Sequence, residues 1–237
     1  MPKIIKLSRT TVEKYLTCPR CCVLDKKYQI KPPSLPFTLN IAVDNLCKNE
    51  FDYYRRIQKP HPLFIEHGID AVPFKHQDLE CWRSNFKGIR FNSIKHQYDF
   101  GGAVDDVWQK KNGELIIVDV KATSRNNFDW SETFNKYEYA KAYKRQLEIY
   151  QWLFKKNGFK VAQEAYLLYF NGKKNEEFFN NQLNFDLHLI RLDCSTSWVE
   201  AKVIETVNLL RSDIFPKPSL NCEYCNYLKK RWQLSIT

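Results

Sequence analysis

The stretch IIVDVKAT, residues 116–123, ends an otherwise apolar, β-branched run with an aspartate and a lysine two positions apart. Such a run reads as a strand buried on both faces. Side chains alternate along a strand, so Asp119 and Lys121 point to the same side. Opposite charges where a buried strand emerges are either a structural ion pair or part of a reactive site. In the second case an ammonium beside a metal-bound water orients it and stabilises charge building on a phosphate, with the metal as Lewis acid.

A second carboxylate comes from the preceding segment. DFGGAVDDVWQKKNGELIIVDVKAT reads as two strands joined at Lys111-Asn112-Gly113, with Gly113 supplying a positive φ. A three-residue loop with a glycine bulge sets Lys110 opposite Glu114 and Asp105 opposite Asp119. A two-residue Asn112-Gly113 loop slips the register by one and puts Asp106 there instead. The x-Asn-Gly sequence favours the longer loop and hence Asp105. Two carboxylates a strand apart repel unless a cation lies between them, and an all-oxygen site suits Mg²⁺ or Mn²⁺. Gln146 and Tyr150 are one helical turn apart and share a face. Gln146 interrupts an apolar stripe there, so it needs a polar partner: backbone, substrate or the site itself.

Eight cysteines form a third chemical group. Cys18-x-x-Cys21 and Cys222-x-x-Cys225 are knuckles at opposite chain ends, each able to offer two thiolates to one ion. Together they could hold Zn²⁺ or a [4Fe–4S] cluster and tie the ends of the chain together. Cys22 is a spare ligand, while Cys47, Cys81 and Cys194 stand singly as core residues. Four of the histidines, His61, His67, His76 and His96, are scattered at no metal-ligand spacing.

The elements that must position these residues follow from periodicity. Residues 8–16 read as a short helix capped by Ser8 or Thr10. Leu39 to Ile57 is a long helix with Leu39, Val43, Leu46, Cys47 and Tyr54 at helical spacing and Asp44 beside that stripe. A second long helix runs from about Phe134 to Lys156. Strands follow at 164–170 and 185–192, and a helix at 195–212. The sum is an α/β domain with a mixed sheet flanked by helices. With 237 residues, 43% hydrophobic and only seven glycines, the chain is expected to be one globular domain over 1–237. The N-terminus does not read as a signal peptide and no run of about 18 apolar residues occurs, which points to a soluble, cytoplasmic protein. A net charge of +10 suits a polyanionic partner such as nucleic acid.

Four separated features stand in one order: Ala42-Val43-Asp44, Gly102-Ala103-Val104-Asp105, Asp119-Val120-Lys121, and Gln146-Leu147-Glu148-Ile149-Tyr150. In this order they resemble the PD-(D/E)XK nucleases, RecB-like branch, as do the opening LSRTTVEKYLTCPR and the cysteine-bearing tail. The resemblance implies a restriction-endonuclease-like core and a DNA nuclease, with an exonuclease in DNA repair or processing as one form of it. Asp105 and Asp119 would then be metal ligands with the Val120 carbonyl, Lys121 would position or polarise the attacking water, and Gln146 and Tyr150 would hold DNA or the catalytic residues. Single-stranded DNA or duplex ends would be the partner. The basic residues Lys141, Lys144, Arg145 and Lys155 are expected to hold its backbone. Asp44 stands where many members of the branch place a histidine ligand. Arg231 stands where the iron–sulfur members have a further cysteine, so their cluster does not carry over to this chain unchanged. The competing function is a nucleic-acid-binding module on the same fold without turnover.

Overall fold

The computed structural model describes residues 4–33 and 38–234. In chain order the elements are β1 (Ile5–Ser8), α1 (Arg9–Thr17), α2 (Pro19–Tyr28), α3 (Thr38–Ile57), α4 (Pro62–Glu66), β2 (Ala71–Pro73), α5 (Leu79–Arg83), β3 (Ile89–Ser93) and β4 (Tyr98–Gly102). They continue with β5 (Asp106–Lys110), β6 (Leu115–Thr123), α6 (Trp130–Lys136), α7 (Glu138–Lys156), β7 (Val161–Gly172), β8 (Phe185–Asp193), α8 (Val199–Arg211) and α9 (Glu223–Leu234). The backbone divides into two compact units, one of Met1–Leu35, Phe91–Gly101 and Ser197–Thr237, the other of Pro36–Arg90 and Gly102–Thr196. Among the described residues, no helix is long and apolar enough to cross a membrane.

In the first unit Ser8 caps α1 through a reciprocal box: its Oγ accepts from the Thr11 N–H, and the Ser8 N–H donates to Thr11 Oγ1. Cys18 ends α1 in an extended conformation, and Pro19 starts α2 without wasting a hydrogen-bond donor. Both helices pack against α8. A three-stranded sheet runs in the order β1-β4-β3, with β1 and β4 parallel.

The second unit holds a five-stranded mixed sheet ordered β2-β5-β6-β7-β8. Its central strand β6 is antiparallel to β5 and parallel to β7. Alternation along β6 separates two environments. Ile116 and Val118 join Cys47 and Phe51 of α3, Phe64 and Trp108 in a core cluster with Val120 against it. Asp119 points the other way, toward Gln146 of α7. A strand covered on both faces explains the continuous apolar run. On α3 the buried row is Val43, Cys47, Phe51 and Arg55. Leu39 and Leu46, expected in the stripe, are exposed.

Two expected elements break. The strand anticipated over 99–110 splits after Gly102, so β4 lies in the smaller sheet and β5 in the larger. The Val104 N–H leaves the ladder to donate to the Trp82 carbonyl at 3.1 Å. Gly102 also lies beside Gly88, where a Cβ would come within 2.4 Å of the Gly102 oxygen. The helix expected from about Phe134 breaks at an extended Tyr137, which ends α6 and precedes α7.

Candidate active site

The turn between β5 and β6 sets the site. Lys110 donates to the Glu114 carbonyl at 2.9 Å, Gly113 donates back to the Lys110 carbonyl at 2.9 Å, and Gly113 sits at φ +81°. This is the three-residue loop, and it pairs Asp106 with Val118. One residue past the ladder, Asp105 falls opposite Asp119. There its Oδ2 accepts the Val120 N–H at 2.8 Å.

Asp119 is fully buried. Its Oδ1 accepts from Gln146 Nε2 at 2.7 Å, and Lys121 Nζ bonds its Oδ2. The same Gln146 nitrogen lies 3.0 Å from the Tyr150 hydroxyl. Lys121 Nζ is also 3.4 Å from the Val120 carbonyl and 4.8 Å from the centre of the Tyr143 ring. Burial pushes the Asp119 carboxyl up to about 7, with Lys121 opposing and Asp105 reinforcing the rise. Burial works against the Lys121 charge, but Asp119 and Asp105 overcome it and hold the ammonium above the ordinary lysine range.

A third carboxylate arrives from α3. The helix row beside the buried one carries Asp44, Lys48 and Asp52, spaced four apart. Lys48 Nζ lies 2.6 Å from Asp44 Oδ2 and 3.5 Å from Asp105 Oδ1, which joins α3 to the hairpin. Burial, then the Asp105 charge, raises the Asp44 carboxyl, with Lys48 opposing.

These donors fit a divalent cation. Three carboxylates face two ammonium groups, which leaves negative charge to neutralise. Asp44 Oδ1 is buried without a hydrogen-bond partner, an open oxygen in a set of hard donors. Asp105, Asp119, the Val120 carbonyl and Asp44 are the residues that would hold such an ion.

Asp106, the alternative the shorter loop would have selected, is buried in a different role. Its Oδ1 accepts from Arg55 and, at 3.0 Å, from Arg83. Arg83 also binds Asp52 at 2.9 Å and donates to the Asp105 carbonyl at 3.1 Å. The neighbouring aspartates therefore separate into one that faces the site and one that anchors the hairpin to α3 and α5.

The first unit brings the two cysteine knuckles together. The sulfurs of Cys18, Cys21, Cys222 and Cys225 all lie within 4.8 Å of one another. Individual separations are 3.5 Å for Cys21–Cys222, 3.6 Å for Cys21–Cys225 and 3.9 Å for Cys18–Cys225. A tetrahedral ion with metal–sulfur bonds of about 2.3 Å has sulfur–sulfur edges of about 3.8 Å, so the four thiols fit one metal. Cys18 is held down to about 7: burial opposes its ionisation, but the Ser219 N–H and neighbouring thiols outweigh it. Burial pushes Cys225 up to about 11, with Cys21 opposing and Cys222 and Cys18 reinforcing the rise. Four thiols this close cannot all ionise without a cation among them. Cys22 is not in this group; its sulfur faces the Thr11 carbonyl at 3.6 Å.

The structure thus places Asp44, Asp105, Asp119, Val120, Lys121, Gln146 and Tyr150 in one connected network. Sequence reasoning missed Lys48 and Tyr143. The signal for Lys48 was its i,i+4 spacing from Asp44. Tyr143 lies one helical turn from Leu147 on α7, a spacing that reads as core packing and carries no signal of a site. Of the basic residues expected to hold a nucleic-acid backbone, Arg145 and Lys141 instead approach Glu138, at 2.9 and 3.5 Å, and Lys155 approaches Thr196 at 3.4 Å.

Residues 44–229 match the sequence model of the PD-(D/E)XK nuclease superfamily. No curated protein matches the chain. Among solved structures, the crystal structure of SSO0001 is similar over 97% of this chain and 86% of its own, at 17% identity and a TM-score of 0.48. A provisionally named exonuclease from Eubacterium rectale is similar over 93% of this chain and 86% of its own, at 12% identity and a TM-score of 0.47.

Proposed function

The chain belongs to the PD-(D/E)XK nuclease superfamily, and we propose that it works as a single nuclease-like domain that hydrolyses DNA phosphodiester bonds with Mg²⁺ or Mn²⁺. Its mixed α/β architecture is that of the restriction-endonuclease-like core. The observation that carries the proposal is the convergence of Asp44, Asp105 and Asp119 around Lys48 and Lys121, with one buried carboxylate oxygen left unpaired.

A bound divalent ion supplies Lewis acidity and neutralises charge on the phosphate. The rest falls to the chain. Asp119, fixed by Gln146, and Asp105, fixed by the Val120 N–H, present their oxygens without reorganising. Lys121 holds its proton at Nζ, so it orients a water by donating to the water oxygen and stabilises negative charge on the phosphate oxygens. Tyr143 covers the Lys121 ammonium with a ring face, which limits the water around it. Tyr150 supports Gln146 and thereby the Asp119 rotamer.

Placement in the RecB-like branch and action on DNA ends belong to the same proposal, supported by the Gln146–Tyr150 pair meeting Asp119. The four cysteines are proposed to hold Zn²⁺ or a [4Fe–4S] cluster as a structural staple. The test is cleavage of labelled DNA by the wild type and Lys121→Ala in Mg²⁺ and in Mn²⁺. Metal-dependent cleavage, lost by at least about a hundredfold in the variant, is expected. Binding without cleavage in every metal would replace the enzyme with an inactive nucleic-acid-binding module.

A further inference from the structure

Beyond Lys121 the chain leaves β6 and builds a feature the catalytic network does not use. The Arg125 backbone is clamped by the buried Asn171: the Arg125 N–H donates to Oδ1 at 2.8 Å and its carbonyl accepts from Nδ2 at 3.0 Å. Its guanidinium lies over the Tyr137 and Tyr139 rings, 4.6 and 5.3 Å from their centres. Among the described residues, the guanidinium N–H groups bond no carboxylate or carbonyl. A guanidinium fixed at backbone and stem, with its planar fork uncommitted, suits a phosphate.

Two clefts of about 380 and 440 Å³ flank this residue and share Arg125, Asn126, Asn127, Phe128 and Lys174. Each is an open cleft with room for about one nucleotide. Phe128 lines both and rests one face on Tyr169, with ring centres 4.6 Å apart. Asparagine amides offer donors and acceptors to base edges. Two of the nearby acids are committed elsewhere: Asp129 caps α6 and Asp186 pairs with Lys173 at 3.0 Å. Glu132 and Glu176 remain at the walls.

We propose that this loop is a binding track for unpaired polynucleotide, with two consecutive nucleotides in the two clefts, their linking phosphate on Arg125 and a base against Phe128. The proposal rests on the nuclease reading for its direction, since the track starts four residues after Lys121. Only an unpaired strand can present a base face to Phe128, because pairing and stacking hide those faces in a duplex.

The test is fluorescence anisotropy of the full-length protein in EDTA with labelled oligo(dT), oligo(U) and a blunt DNA duplex. The wild type is expected to bind at least one single strand about tenfold more tightly than the duplex. Arg125→Gln and Phe128→Leu are each expected to weaken that binding about tenfold, while Phe128→Tyr retains it. Arg125→Gln alone should also flatten the salt dependence of log K by about 0.7. Preference for oligo(dT) or for oligo(U) identifies the strand as DNA or RNA. Preference for the duplex, or variants that bind single strands as the wild type does, overturns the proposal. Cleavage measured in parallel separates the two ideas. A wild type that cuts, with variants that bind unchanged, sinks the track and leaves the nuclease; a wild type that never cuts, with variants that lose binding, does the reverse.

Discussion

Gln146 donates from Nε2 to the fully buried Oδ1 of Asp119 at 2.7 Å, so a neutral amide on α7 fixes the rotamer of a carboxylate on the central strand. Replacing it with leucine leaves that oxygen without a donor where water does not reach. Gln146→Leu should lose about 1–3 kcal/mol of stability by urea denaturation and at least about tenfold in cleavage rate. A variant as stable and as active as the wild type would mean that the bond positions nothing.

Asp119 also predicts a pH dependence. In the unfolded chain it ionises near the ordinary aspartate value of about 4, whereas burial holds it up to about 7 in the fold. The folded state therefore binds the extra proton between these values. The stability from this group is fully present below about pH 4 and is lost as pH rises through about 7. Metal-free wild type should lose more urea resistance between pH 5 and pH 8 than Asp119→Asn does. Mn²⁺ binding, which needs the carboxylate, should strengthen with pH up to about 7 and release a proton below it, measurable by calorimetry in two buffers.

Lys48 is an internal cation between Asp44 and Asp105. Lys48→Met removes it and leaves the carboxylates facing each other. The variant should melt lower than the wild type in EDTA and gain more than the wild type when Mn²⁺ is added. Equal metal-induced shifts would show that Lys48 does not contend with a cation for these oxygens.

The four clustered thiols predict a stoichiometric metal. Elemental analysis of anaerobically purified protein should find about one zinc, or about four irons with matching sulfide, per chain. Cys222→Ser should lower that content and the melting temperature together, because binding energy at such a site is folding energy. Metal-free protein with unchanged melting would leave the thiols as packing alone.

What the sequence revealed tracks how local each signal is. The β-branched run of β6 and the glycine of the 111–113 turn announce themselves within a few residues, and the turn carries the register out to Asp105. Spacing alone paired the cysteine knuckles. Lys48 stayed hidden because a lysine on a helix looks the same whether it faces solvent or a carboxylate on another element. The split between β4 and β5 depends on Val104 bonding a distant carbonyl, and that between α6 and α7 places Tyr137 beneath Arg125. Neither contact leaves a local mark. The tail that forms α9 buries none of its side chains, so no apolar stripe marked it as a helix.

Asp105 and Asp106 are the same amino acid side by side, yet the alternation set by one turn gives them separate mutational fates. Loss of the Asp106 charge leaves two buried arginines to share Asp52 alone and acts on how much folded protein a cell retains. Loss of the Asp105 charge leaves the arginine clamp whole and acts on what each folded molecule can do. Under the proposed nuclease reading, two adjacent copies of one amino acid are therefore different characters, one of abundance and one of turnover.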